Sequence, residues 1–120
     1  MMNWLLAEIR RIGNTATWSW EGWVSAWQRE KSLRQWALVN VLSAGLAFAL
    51  DLSPAERALI LALGILLLAA ELMNTAIEEV VDYISEEIDP RAKRAKDAGS
   101  AVVAVTAIAG GVAWLVILIG

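Results

Sequence analysis

At 120 residues the chain forms one domain at most, and its 58% hydrophobic content and mean hydropathy of +0.55 are well above those of a small soluble fold. Cysteine and histidine are both absent, which excludes disulfides, thiolate nucleophiles, cysteine or histidine metal sites and the commonest general base; any chemistry must run on carboxylates, amides, hydroxyls, Lys and Arg. A net charge of -3 argues against a nucleic-acid partner, and none is expected.

The first element covers residues 1–34, where Trp4, Trp18, Trp20, Trp23 and Trp27 are mixed with Arg and Glu. Amphipathic rings of this kind prefer the headgroup layer, so the segment predicts a helix lying on the cytoplasmic face of a membrane. The same tryptophans packed against protein are the alternative, and Trp20, Trp23 and Trp27, at spacings of three and four, suit either. A cleavable signal peptide is not expected, because Glu8 interrupts the apolar part of Met1 to Arg11 and no small-residue cleavage site follows.

Three apolar stretches come next, over 35–50, 55–82 and 97–119, and predict three transmembrane helices. The first has sixteen uncharged residues, short of the ~20 that cross a bilayer, so it begins earlier, with Lys31 and Arg34 snorkelling to the interface. Ser53 is placed to cap the second span, with Pro54 at its first helical position. Asp89 and Pro90 lie in the next connection, since proline cannot continue the preceding helix. Every Lys and Arg except Arg57 lies either before the first span or among Arg91, Lys93, Arg94 and Lys96. By the positive-inside rule the N-terminus and the 83–97 loop are cytoplasmic, and the C-terminus is outside. The fold class expected is an all-α membrane protein: one domain over 1–120, an N-terminal amphipathic surface helix and three transmembrane helices.

The second span carries the chemistry. Glu71, Asn74, Thr75, Glu78 and Asp82 fall on one side of a helix with 3.6 residues per turn, a polar strip about three turns long. A carboxylate at membrane depth costs roughly 2.5 to 3.5 kcal/mol, so two on one face need a partner, a metal or a reaction to keep them. The strip could conduct ions, bind a divalent metal, or hold one carboxylate as a general base while another coordinates metal. A purely structural strip, satisfied between helices, is the plainer alternative. At the start of the third span, Lys96 and Asp97 could bind and orient a phosphate, or could simply snorkel to the interface. Ala98, Gly99, Ala101, Ala104 and Ala107 suit close helix contact, and self-association would cover a strip that three spans cannot.

Glu71-Leu-Met-Asn74-Thr-Ala-Ile-Glu78-Glu-Val-Val-Asp82, followed by Ala95-Lys96-Asp97-Ala-Gly99-Ser100-Ala, closely resembles the signature of the small prokaryotic diacylglycerol kinases. Trp20, Gly22, Ala26, Trp27, Glu30, Arg34 and Gln35 are weaker anchors, so the likeness runs over nearly the whole chain. It implies a homotrimer with shared active sites in the bacterial inner membrane, which moves the γ-phosphoryl of ATP onto a lipid hydroxyl, with diacylglycerol as the membrane lipid substrate and Mg2+ as cofactor. It implies Glu71 as general base, and Glu30 and Glu78 as the carboxylates that hold the metal. It further implies that Asn74, Lys96 and Asp97 serve the nucleotide and catalytic environment, that Arg11 touches the nucleotide from the surface helix, that Trp18 packs near its base, and that Glu87 lies close to the adenine. Poor hydration at Glu71, deeper than Glu78, suits a base that takes a proton from an alcohol. Neither GxxxxGK[ST] nor GxGxxG is present.

The chain also departs from the family pattern. Trp36 stands where the best-known members carry an acid, Arg29 replaces a polar amide, and Ile88 and Asp89 replace an aromatic and a histidine. Pro90, Lys93, Lys96 and Asp97 resemble a related undecaprenol kinase branch, whereas Gly99-Ser100 and Leu33-Arg34-Gln35 resemble the diacylglycerol branch, which is preferred. A non-enzymatic, ion-conducting oligomer is the rival of a different class.

Overall fold

The structure, a computed structural model, describes residues 1–120 as four helices: α1 (Met2–Arg29), α2 (Lys31–Ala49), α3 (Pro54–Ile84) and α4 (Pro90–Ile119). α1 is a 28-residue helix about 42 Å long at 1.5 Å per residue. It ends at Glu30, whose extended backbone (φ -107°, ψ 105°) breaks the helix and starts α2 in one step. The Glu30 N–H still donates to the Ala26 carbonyl at 2.8 Å. Arg34 reaches back across the break and donates to the carbonyls of Trp27 and Gln28, two of the groups a helix C-terminus leaves without partners. α1 therefore stops at Arg29, and Lys31 and Arg34 belong to α2. The first twenty-two residues are exposed apart from half-buried Glu8, and the Trp23 and Trp27 rings stack with centroids 5.8 Å apart.

α3 and α4 are each long and apolar enough to cross a membrane; α2, which carries Lys31, Arg34, Gln35 and Asn40, does not reach the same apolar content. α3 begins as its sequence dictates. Ser53 Oγ accepts from the Glu56 N–H (3.2 Å), Glu56 Oε1 accepts from the Ser53 N–H (2.8 Å), and Pro54 opens the helix. Arg57 turns back onto the end of α2, where its Nε donates to the Ala47 carbonyl at 2.9 Å and its guanidinium lies 5.2 Å from the centre of the Phe48 ring.

α4 starts earlier than the apolar stretch 97–119 suggested. Asp89 Oδ1 accepts from the Arg91 N–H at 2.7 Å and Pro90 takes the first helical position, so Arg91, Lys93, Arg94 and Lys96 are helical. The connection shrinks to residues 85–89. An acid followed by proline is a start signal in its own right, and it outweighs the change in polarity further on.

α3 is the central helix, packed along α4 and α2, while α1 touches the rest only weakly. Small residues set the closest approaches. A Cβ on Gly99 would lie 2.6 Å from Asn74 Oδ1, and one on Gly64 would lie 2.8 Å from Asn40 Oδ1. Asn40 Nδ2 donates to the Gly64 carbonyl (2.8 Å), joining α2 to α3, and Trp114 Nε1 donates to Ser43 Oγ (2.9 Å), joining α4 to α2. Two small clusters make the core: Ala47, Ile60 and Ala113, and Leu67, Ala70 and Val103 with Trp36 against them. Only 11 of the 120 residues are buried, so lipid or further protein must meet most of the apolar surface.

Candidate functional site

The polar strip on α3 runs from the packed interior to open solvent. Glu71 and Thr75 are buried, at 5% and 8% exposure; Asn74 and Glu78 are half-buried; Asp82 is exposed. This gradient follows from geometry. The i, i+3, i+4 spacing keeps the groups on one face, and α4 and the α1–α2 break cover only the inner turns of that face.

Glu30 and Glu78 are the charged groups that act on Glu71, and the Trp36 indole lies beside its carboxyl. The fold thus gathers three carboxylates expected of the site from three places in the chain: the α1–α2 break, the middle of α3, and two turns further along α3. Asn74 Nδ2 donates to Glu78 Oε1 at 3.3 Å, while Asn74 Oδ1 is buried without a partner. Such an orphan is uncommon in a packed interior and calls for an occupant or a function.

Toward the α3–α4 connection the strip opens into a cleft of about 300 Å³ lined by Asp82, Glu86, Glu87, Lys93, Lys96 and Asp97, among others. Lys96 Nζ pairs with Asp82 Oδ1 across the helices at 2.6 Å, and Lys93 pairs with Asp97 one turn along α4. Lys96 and Asp97 are therefore not each other's partners. Consecutive residues on a helix point about 100° apart and do not face each other. Glu87 is exposed in the connection, with its N–H donating to Ser85 Oγ at 3.0 Å. Asp89, which also lines the cleft, has its carboxyl held below the ordinary aspartate range by the Arg91 guanidinium and by the Arg91 backbone N–H.

Arg11 and Trp18 sit apart from this group within one chain. Both are exposed on α1; Arg11 pairs with Glu8 at 2.7 Å and, at 1.5 Å per residue, lies roughly 28 Å along the helix from Glu30. Sequence reasoning missed two contacts. Arg29 Nη1 meets Glu79 Oε1 at 2.9 Å, tying α1 to α3 beside Glu30 and Glu78, and Trp36 sits against the innermost carboxylate. The first joins residues fifty positions apart and leaves no periodic signal. The second was visible only as an aromatic at the head of α2.

The donor set fits a hard divalent cation. Glu30 and Glu78 offer only oxygen, as does the free Asn74 Oδ1, and no three acidic side chains converge closely enough to cage an ion alone. That suits magnesium, which keeps several waters and is usually held by one or two carboxylates together with substrate phosphates.

A family model described as prokaryotic diacylglycerol kinase matches residues 17–118. A diacylglycerol kinase of Pseudomonas aeruginosa is 45% identical over 114 residues, covering 93% of this chain and 91% of the relative. The Escherichia coli K12 diacylglycerol kinase is 36% identical over 108 residues, 90% of this chain and 88% of its own, and that of Haemophilus influenzae is 34% identical over 106 residues, 88% and 90%. Matched over nearly its whole length by the family and by these relatives, the chain belongs to the prokaryotic diacylglycerol kinase family.

Proposed function

We propose that this lipid kinase transfers the γ-phosphoryl group of ATP to the free hydroxyl of diacylglycerol, giving phosphatidic acid and ADP. The observation that carries the reading is Glu71, a carboxylate 5% exposed in the middle of an apolar helix and flanked by Glu30, Asn74 and Glu78. Glu71 takes the hydroxyl proton as the lipid oxygen forms its bond to the γ-phosphorus and the bond to the ADP oxygen breaks. Glu30 and Glu78 would hold Mg2+, which would neutralise nucleotide phosphate charge. Lys96, released from Asp82, adds positive charge at the mouth, Asp97 and Glu87 border the nucleotide, and Asn74 orients the reacting groups. Arg11 and Trp18, out of reach in their own chain, serve the nucleotide of a neighbouring copy, which accords with a homotrimer whose active sites are shared.

The same reading places three spans in the bacterial cytoplasmic membrane. The N-terminus and the α3–α4 connection face the cytoplasm and the C-terminus faces outside, with α1 lying on the inner surface. α2 crosses as the first of the three spans, with Lys31 and Arg34 at its cytoplasmic end.

The test is a phosphorylation assay in nanodiscs with magnesium, labelled ATP and a panel of lipid alcohols. Diacylglycerol is expected to be the preferred acceptor, and Glu71→Gln to lower turnover by about 10² to 10⁴-fold with helix content and oligomer unchanged. Wild-type turnover in that variant overturns the base assignment, and a strong preference for undecaprenol moves the chain to that branch.

A further inference from the structure

Glu30, at the α1–α2 break, and Glu78, on α3, both act electrostatically on Glu71, and like charges repel one another. Glu71 and Glu78 share a helix and cannot separate. Glu30 can, because it sits at a break between helices and on the end of α1, the element least tied to the rest of the molecule. Something must hold α1 against α3 for Glu30 to stay beside the polar strip of α3.

The Arg29–Glu79 ion pair, at 2.9 Å, is the salt bridge that joins α1 to α3, and each of its members is the immediate chain neighbour of one of the two carboxylates in question. The other ion pairs of α1, α3 and α4 either stay within a few residues or join α3 to α4. Arg34 cannot take over the role, since its guanidinium is spent on the carbonyls of Trp27 and Gln28 and so fixes the shape of the break, not its distance from α3.

We infer that Arg29 and Glu79 are positioning residues, whose ion pair holds Glu30 of α1 opposite Glu78 of α3 and so sets the spacing of the two-carboxylate seat for the divalent cation. The inference rests on the assignment of Glu30 and Glu78 to the cation. Neither tether residue needs to touch the ion. The pair also contributes a balanced charge of each sign beside a strongly acidic group, so removing Arg29 alone leaves Glu79 to add to the repulsion, whereas removing Glu79 alone leaves Arg29 free to seek Glu78 or Glu30. Both changes spoil the spacing, in opposite electrostatic senses.

Each member is 55% exposed, so the pair is worth no more than an exposed salt bridge and the predicted effect is correspondingly modest. The experiment measures Mn2+ binding to the detergent-solubilised full chain by electron paramagnetic resonance, with a non-hydrolysable ATP analogue present, alongside turnover as a function of Mg2+. Arg29→Gln and Glu79→Gln are each expected to weaken Mn2+ binding and raise the Mg2+ requirement by about two- to fivefold, with KM for the lipid unchanged. The exchanged pair, Arg29→Glu with Glu79→Arg, is expected to recover most of the loss, and raising salt is expected to shrink the difference between wild type and the single variants. Wild-type Mn2+ binding in both single variants, or an exchanged pair no better than either, overturns the tether. Glu30→Gln separates the two levels. Unchanged Mn2+ binding in that variant overturns the cation assignment and the tether with it, whereas weakened binding there, beside wild-type behaviour in both single tether variants, overturns the tether alone.

Discussion

The chain sets an asparagine against a glycine twice, and the two contacts differ. At Asn40 and Gly64, between α2 and α3, the amide donates 2.8 Å to the glycine carbonyl, a closed arrangement in which the missing Cβ lets the side chain meet the neighbouring backbone. At Asn74 and Gly99, between α3 and α4, the approach is equally tight. Here the amide N–H goes to Glu78 at 3.3 Å, and the oxygen is buried with no partner. One contact satisfies its polar group and fastens two helices; the other leaves an acceptor open beside a cluster of acids. Packing chemistry alone does not distinguish a structural amide from one available to a substrate. What distinguishes them is whether its hydrogen bonds are already used.

Replacing each asparagine should separate stability from activity. Asn74→Ala is expected to lower phosphoryl transfer by about 100-fold, the scale of one lost preorganised polar group, and to leave thermal stability nearly unchanged. Asn40→Ala should do the reverse, with turnover within about twofold of wild type and a stability loss of about 0.6 kcal/mol, at most about 1.7, as for hydrogen bonds between membrane helices. Turnover and thermal unfolding measured on both variants check this, and equal effects on activity would erase the distinction.

The glycines give the next largest contrast. A Cβ at Gly99 meets Asn74 Oδ1 and Ile77 Cδ1 at 2.6 and 3.2 Å, so Gly99→Ala must push the amide out of place, and turnover should fall about tenfold. Gly64→Ala should cost about 1 to 3 kcal/mol of stability by overpacking while sparing activity. Turnover assays beside unfolding midpoints decide between them. A smaller effect belongs to the Trp114–Ser43 bond: Trp114→Phe keeps an aromatic ring, loses the donor, and should cost about 0.6 kcal/mol with no change in KM for ATP.

The smallest effect is a pH dependence at the start of α4. The Asp89 carboxyl is depressed by the Arg91 guanidinium and backbone N–H, so its support of the helix is complete above the ordinary value of 3.8 and is lost as pH falls below it. Amide exchange in the first turn of α4 should therefore accelerate, relative to the rest of the helix, below about pH 4. Asp89→Asn, which keeps a capping oxygen without the charge, should remove that dependence.

Much of this was legible because the signals are local. Ser53 with Pro54 marks a helix start by side-chain chemistry that acts within three residues, and the 3.6-residue period alone lays out Glu71, Asn74, Thr75, Glu78 and Asp82 on one face. Asp89 with Pro90 carries the same signal, but the change in polarity further on set the expected start of the last helix at residue 97. The break at Glu30 was not legible, since neither proline nor glycine stands there and the interruption is held by Arg34 and by contact with α3. The partner of Lys96 was not legible for a related reason: helix rotation points Lys96 at Asp82, which lies on another element. Arg29 and Glu79 meet only because the fold brings them together.

A chain that buries so few of its residues leaves its shape to whatever surrounds it. For such a molecule the choice of detergent is a structural variable, comparable in weight to a core substitution. The unfolding midpoint should climb with surfactant alkyl length until the tails span the apolar lengths of α3 and α4, and then level off.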